Sequence, residues 1–535
     1  MSRRPNASPS YSRISEGARW SVELPSMHKF KTAPGVSFII GIVRLIFGVM
    51  ITAGCCAASR LPNIVVIVAD DLGYHDLGSY GQNRFPTKNT DRLARDGIRF
   101  LNAHAPAAIC SPTRYSIITG TDPFRRYHTS HVLFNAEPLV IGRNESTMAD
   151  MLGSAGYATA IVGKWHLGLG DRLPRDPANP GRGPNQVGFD YSFIVPDGHN
   201  MFPAYYLENG EIFQSSEVKI EAKTAILDRV GYKLLQNTPV GRWPVLRSNE
   251  QIARTLAEKA ERFIVENRAR AFFLYYPTCA IHFPFEPDRR FIGASGIGLH
   301  GDYVMEFDWA VGEVMSLLER LGVADNTLVM VTSDNGGYPQ GSATLKDTGH
   351  NPNHPWRGAK ESAYEGGTRV PFIARWPGRI GPGKSSEEMI SLTDLAATLS
   401  EIAGATVSTS AALDSKSFAS LLLDPQGGEA PRYSMVTGSR GMTAIALRER
   451  HWKMIFSPHT EGIELYNLAV DPGEVEDLSL KERRRARGML DRLNAYFERG
   501  SSRPGAIASG SPLRQILSER DARNREIELK FSGQP

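Results

Sequence analysis

Cysteine is scarce in this chain. There are four in 535 residues, and two of them, Cys55 and Cys56, stand side by side within the first 60. The rest of the chain holds only Cys110 and Cys279, which excludes a disulfide framework as the source of its stability. No Cys-rich or multi-His run has the spacing of a zinc site. An excess of one charge is also lacking once the chain is divided. Of the 61 Lys and Arg, eight fall in residues 1–60, with two of the 57 Asp and Glu, so from residue 61 onward 53 basic residues face 55 acidic ones. The formal +4 therefore belongs to the leader, and nothing in the remainder asks for nucleic acid as a partner. There is no internal repeat, and at 41% hydrophobic and 22% charged the composition is that of a globular protein. The length suits one large α/β domain and a smaller one.

The leader, residues 1–60, has the form of an export signal. A basic segment ends at Arg44, the apolar run Leu45 to Ala53 follows, and small residues fill Gly54 to Ser59. The run is too short to span a bilayer, and extending it upstream to make an anchor would put Arg44 in mid-span at high cost. The segment before Met27 is polar and Ser-rich, so translation is expected to start at Met27, and the mature chain near residue 60 is expected to be exported to the periplasm or secreted. Cys55 and Cys56 sit where a bacterial lipoprotein carries its lipidated Cys, although Thr52 stands where an aliphatic residue is expected; lipid anchoring is the alternative.

The mature chain opens with Asn63-Ile64-Val65-Val66-Ile67-Val68-Ala69-Asp70-Asp71. The mostly β-branched run reads as a strand buried on both faces of a parallel sheet, and it ends in two acids. Such acids lie either where open α/β sheets bind ligands or in a solvated turn or helix cap, and the pair alone does not choose. Tyr157 to Val162 reads as a second buried strand running into Gly163-Lys164-Trp165-His166, in which Lys164 and His166 share a face if the extended geometry persists. The alternative is a surface Lys beside a packed His. Phe272 to Tyr276 leads into a loop with His282, and Thr327 to Thr332 ends in Ser333-Asp334-Asn335-Gly336.

Helical patterns near Thr90 to Gly97, Glu145 to Gly156, Glu250 to Asn267 and Tyr303 to Leu321 alternate with these strands, giving a doubly wound, mostly parallel sheet through about residue 425. Asp171 to about Asn249 breaks into Pro, Gly and Asn clusters and is expected to be an irregular insertion framing a pocket. Farther on, short strands including Trp452 to Phe456 and Glu464 to Leu468 precede a closing helix near Leu480 to Arg499. The expected division is a catalytic domain at 61–430, a small α+β subdomain at 431–500 and a loosely ordered tail at 501–535.

Cys110 stands directly before Ser111-Pro112 and a helical pattern, which places it at a helix N-terminus where free amides and the dipole favour an anion. Arg114, one turn on, can turn back toward it. Cys279 reads as a buried thiol on a strand. The run Cys110-x-Pro112-x-Arg114 resembles the signature of the type I sulfatases, whose Cys is converted after translation to formylglycine. Asp70-Asp71, Gly163 to Gly168, the His282 loop, Ser333 to Gly336, Lys360 with Glu365-Gly366-Gly367, and Leu465 to Leu468 then follow in the order of arylsulfatase-like enzymes, so the resemblance extends from Asn63 to about Gly500.

The resemblance implies an alkaline-phosphatase-like α/β fold, with a mostly parallel sheet sandwiched by helices plus a small C-terminal antiparallel sheet. It implies a hydrated formylglycine at position 110 as nucleophile, made by a formylglycine-generating enzyme, and cleavage of a sulfate ester of a small molecule or glycan. Asp70, Asp71, Asp334 and Asn335, with the modified Cys110, are the expected metal ligands. An all-oxygen set rich in carboxylates favours Ca²⁺ over Mg²⁺. His166 is carried over as partner of the hydroxyl, Arg114 as its support, and Lys164, Lys360 and His282 as sulfate ligands, one of which protonates the leaving oxygen. The loop departs from the family pattern at Cys279 and Ile281. The alternative is a phosphate or phosphonate ester hydrolase of the same superfamily; phosphomonoesterases there generally use Ser or Thr and zinc, unlike Cys110 and this His-poor set.

Overall fold

A computed structural model describes residues 61–518 except 126–131, 134–136, 172–179, 202–203, 214–247, 339–347, 512 and 514. The leader, with Met27, the apolar run, Cys55 and Cys56, lies outside the described residues. Among the described residues no helix is long and apolar enough to cross a membrane.

The strand expected after the leader is β1 (Asn63–Ala69), buried throughout because it lies between two parallel neighbours. Its alternation divides it between the two faces of the sheet. Ile64, Val66 and Val68 enter one apolar core, and Val65, Ile67 and Ala69 the other. The other strands of the large sheet are β2 (Ile98–His104), β3 (Ala158–Lys164), β4 (Tyr191–Val195), β5 (Tyr206–Glu208), β6 (Glu211–Phe213), β7 (Phe272–Pro277), β8 (Thr327–Ser333), β9 (Arg369–Arg375), β10 (Lys384–Ser386) and β11 (Ile390–Ser391). Their order is β10-β2-β9-β8-β1-β7-β3-β4-β5-β6, with β11 also paired to β2. Helices cover both faces. On one are α2 (Cys110–Thr119), α3 (Met148–Ser154) and α7 (Leu395–Ala403); on the other are α1 (Lys88–Arg95), α4 (Ile252–Asn267) and α5 (Leu299–Arg320); a short helix, α6 (Glu365–Thr368), precedes β9 and another, α8 (Ala419–Leu423), follows α7.

The topology fixes where the site must be. β8, β1, β7 and β3 are mutually parallel, so their carboxyl ends share one edge. β9 is antiparallel to both β8 and β2, so β2 also ends at that edge and β9 begins there. Ligand sites of open α/β sheets occupy this edge.

Four antiparallel strands, β12 (Ser434–Gly438), β13 (Ile445–Glu449), β14 (Trp452–Ser457) and β15 (Gly462–Asn467), form the small sheet, with α9 (Arg483–Arg499) packed on it through Met489, Leu493 and Phe497. Leu513 and Ile516 are buried in the same core, so this part of the expected loose tail is packed. The stretch from Asp171, expected to be irregular, instead supplies β4, β5 and β6, which extend the large sheet; residues 172–179, 202–203 and 214–247 of it lie outside the described set. Cys279 is buried as expected but stands two residues past the end of β7, in the loop rather than on the strand.

Candidate active site

Residues from five strand ends meet at that edge. Ala69 pairs with Ser333 across the β1/β8 ladder, so the next residues, Asp70 and Asp334, leave the sheet side by side. The Asp334 N–H donates to the Ala69 carbonyl at 3.1 Å, and the Asp71 N–H donates to Asp334 Oδ1 at 3.1 Å. Asn335 Nδ2 donates to Asp71 Oδ1 at 2.8 Å, while its own Oδ1 is buried with no hydrogen-bond partner. The loop after β7 is tied to the same place, with the Asp70 N–H on the Ala280 carbonyl and the Ile281 N–H on the Asp70 carbonyl.

Cys110 is the first residue of α2, every residue of which is buried. Its Sγ lies 3.6 Å from Asp70 Oδ1. The helix ends at Gly120, whose φ of 66° and close approach to Ala396 and Ala412 leave no room for a Cβ. Arg114 does reach back, but to the carboxylates beside Cys110: Nε and Nη2 donate to Asp334 Oδ2 at 3.0 and 2.7 Å, Nη2 lies 3.3 Å from Asp70 Oδ1, and Nη1 donates to the Lys164 carbonyl.

Lys164 closes β3 and donates to both oxygens of Asp70, at 3.0 and 2.7 Å. It can do so because Gly163, at φ 135°, lets the strand pass the Pro277 carbonyl; a Cβ there would sit 1.8 Å from that oxygen. The extended geometry expected for Lys164 and His166 stops between them, since His166 has φ 56°. His166 is held by a 2.8 Å bond from its N–H to the Pro196 carbonyl and by Nε2 on the Leu133 carbonyl, leaving Nδ1 buried without a partner. Lys360 donates to Asp71 Oδ2 at 2.7 Å, and His282 brings Nε2 to 3.8 Å from the same oxygen. With its Nδ1–H on the Phe283 carbonyl, a neutral His282 turns its Nε2 lone pair towards the carboxylates, an arrangement that asks for a cation or a proton between them.

All ten expected residues are thus brought to one edge. Single atoms of Asp70, Asp71, Cys110 and His282 lie within 4.8 Å of one another, so His282, expected as a sulfate ligand and candidate proton donor, also stands within the metal-capable group. His199, which no motif singled out, packs its ring edge-on to His282 with centroids 5.6 Å apart.

The electrostatics are balanced. Asp70, Asp71 and Asp334 face Lys164, Lys360 and Arg114. Burial pushes Asp70 up, but the charges of Lys164 and Arg114 outweigh it and hold the carboxyl well below its usual range. Burial wins at the other two, raising Asp71 and pushing Asp334 up to about 6 despite Arg114. Burial, with Lys164 and Arg114 nearby, holds His166 well below its ordinary value, and burial with Lys360 does the same to His282. The Cys110 thiol is pushed up to about 12 by burial, so it keeps its proton.

Residues 62–405 match the family model described as sulfatase, and residues 353–495 match that described as N-sulphoglucosamine sulphohydrolase, C-terminal. The chain belongs to the sulfatase family. This sulfatase is 34% identical over 503 residues to the N-acetylgalactosamine-6-O-sulfatase of Bacteroides thetaiotaomicron, an alignment covering 82% of this chain and 95% of that one. A solved structure from work on the metabolism of multiple glycosaminoglycans by the same bacterium superposes with a TM-score of 0.73 at 32% identity, covering 82% of the sulfatase and 99% of that chain. The phosphonate monoester hydrolase of Agrobacterium radiobacter shares the fold, with a TM-score of 0.55 at 17% identity over 84% of the sulfatase and 100% of that chain. The sulfatase is a sulfuric ester hydrolase of alkaline-phosphatase-like fold.

Proposed function

We propose that this sulfatase hydrolyses a sulfate ester of a carbohydrate, using Cys110 as formylglycine and a divalent cation. The observation that carries this reading is the placement of Cys110 at the start of a buried helix, against three carboxylates and three cationic side chains. A thiol that keeps its proton is a poor nucleophile. Attack by it would moreover leave an S-sulfated enzyme with no second hydroxyl to expel sulfate, whereas an aldehyde hydrate has one. We therefore infer that Cys110 is converted during maturation by a formylglycine-generating enzyme.

The orphaned Asn335 Oδ1, with Asp70, Asp71 and Asp334, fits a hard cation, and Ca²⁺ suits this oxygen set better than Mg²⁺. When bound, that ion supplies charge stabilisation to nucleophile and transferring group. Without it three carboxylates meet three cations; a divalent ion turns the balance positive, as an anionic sulfate ester requires. Arg114 holds Asp334 and Asp70 in place beneath residue 110. His166, with a free buried Nδ1, is assigned to the hydroxyl at residue 110, and Lys164, Lys360 and His282 to the sulfate, one of them protonating the leaving oxygen.

The named relative's substrate makes 6-sulfated N-acetylgalactosamine the first compound to assay, beside other sulfated sugars and a phosphonate monoester. Release of inorganic sulfate from at least one sulfated sugar is the expected result. Turnover of the phosphonate ester with no sulfate released from any sugar would overturn the reading.

A further inference from the structure

A second polar group is buried beside the exit of β1. Asp76 has Oδ2 taking the Gly73 N–H at 2.8 Å, and Oδ1 taking His300 Nε2 at 2.9 Å and His350 Nε2 at 2.8 Å. The three side chains come from the turn after β1, the first turn of α5 and the loop preceding Lys360, and none is more than 2% exposed. One carboxylate oxygen and one nitrogen from each imidazole lie within 4.8 Å of one another. Aromatic rings wall the group off: Phe285 packs edge-on to His300, Phe85 edge-on to His350, and His75 stacks on His350. The ring nitrogen that His300 turns to Asp76 is Nε2; its Nδ1, on the other side of the ring, is buried without a partner.

Two imidazole nitrogens and one carboxylate oxygen form the mixed donor set of borderline transition ions, unlike the oxygen-rich set around Asn335. We propose that Asp76, His300 and His350 are a second metal site, taking a divalent first-row transition ion, zinc first, in a structural role. Its position gives it leverage on the active site. The His75 N–H bonds the Pro352 carbonyl, and Asn353, three residues past His350, clamps Gly337 through its N–H at 2.8 Å and its carbonyl at 3.0 Å. The ion would tie the loop after Asp71 to the one that carries Asn335 and leads to Lys360.

The test uses full-length enzyme made without a polyhistidine tag and saturated with calcium. Elemental analysis should find about one transition-metal equivalent per chain, and Co²⁺ loaded in its place should show the visible bands of a low-coordinate nitrogen-bound ion. Asp76→Asn and His350→Gln should each lose that equivalent and keep calcium, while Asp71→Asn should keep it and lose calcium. If the variants do not fold, the wild-type measurements decide alone. No Zn²⁺ or Co²⁺ retained by calcium-loaded wild type, or an equivalent that survives in both Asp76→Asn and His350→Gln, overturns the proposal.

Discussion

Glu365→Gln should separate the two sheets energetically. Glu365 opens α6, at the amino end of β9, and is buried where the small sheet meets the large one. Its carboxylate accepts from Arg448 at 2.6 Å, Arg369 at 3.0 Å and Lys453 at 3.1 Å; Lys453 is shared with Glu474, which also takes the Glu365 N–H. Gln keeps the shape but leaves three cations facing one carboxylate. Removing one partner of a buried ion pair costs about 3–5 kcal/mol, much of it the penalty of stranding the other charges. Burial pushes Glu365 up, but Arg448, Lys453, His104 and Arg369 outweigh it and hold its carboxyl well below the usual range. A depressed acid contributes its stability above the unfolded pKa, about 4.3, and loses it only as pH falls through the folded value, so the deficit of the variant should be constant from roughly pH 6 to pH 8. Equilibrium unfolding in urea of the calcium-saturated proteins measures it. Adding Arg448→Met should return about 1 kcal/mol or more, since Arg448 is paired with Glu365 and the second change removes a stranded charge, whereas Lys453 still has Glu474. A loss below about 0.5 kcal/mol, the scale of an ordinary surface change, would refute the reasoning.

Exhaustive chelation should abolish turnover and Ca²⁺ should restore it; full activity in metal-free enzyme would remove the assignment of Asp70, Asp71, Asp334 and Asn335. Cys110→Ser should fold and bind metal but stop after one transfer, and mass spectrometry of the wild-type peptide containing residue 110 should show the thiol replaced, an intact thiol in fully active enzyme being the contrary result. Lys360→Met should lower kcat by roughly 10²–10³, the scale of losing one preorganised group at developing charge, and a drop of less than about threefold would exclude its contact with the sulfate. Asp122 is pushed up to about 7, by burial first and Asp414 second. Such a raised acid favours the fold below its unfolded pKa and loses that stability as pH rises to about 7, so the stability of Asp122→Asn relative to wild type should increase between about pH 4 and pH 7; a flat difference in thermal unfolding counts against it.

The strand-end residues were legible in the sequence because a buried β-branched run that stops at Asp70-Asp71 or at Asp334-Asn335 advertises the edge of a parallel sheet. Cys110 was legible through Ser111-Pro112, which mark a helix start. The edge strands β5 and β6 were not: each has three residues, one of them with an exposed glutamate, amid Pro and Gly clusters that read as loop. Nor was the group formed by Asp76, His300 and His350, since Asp76 stands over 200 positions from either histidine and shares no spacing with them until the fold joins them. The geometry at His166 escaped for a local reason. Its positive φ is set by the Pro196 carbonyl, a partner 30 residues on, and no periodicity carries that.

The small sheet also imposes an order on events. Gly438, at the end of β12, pairs with the segment just before Cys110, its carbonyl taking the Ala108 N–H and its N–H bonding the Pro106 carbonyl, while the Glu361 N–H occupies the Ala108 carbonyl. Once those partners dock, Cys110 is sealed. Gly438 follows Cys110 by 328 residues, the difference of their numbers. At roughly 5–20 residues per second of synthesis, the segment stays unclasped for on the order of 20–60 seconds. Any enzyme that alters Cys110 has at least that interval to act, and a chain that folds before it is altered closes around a thiol.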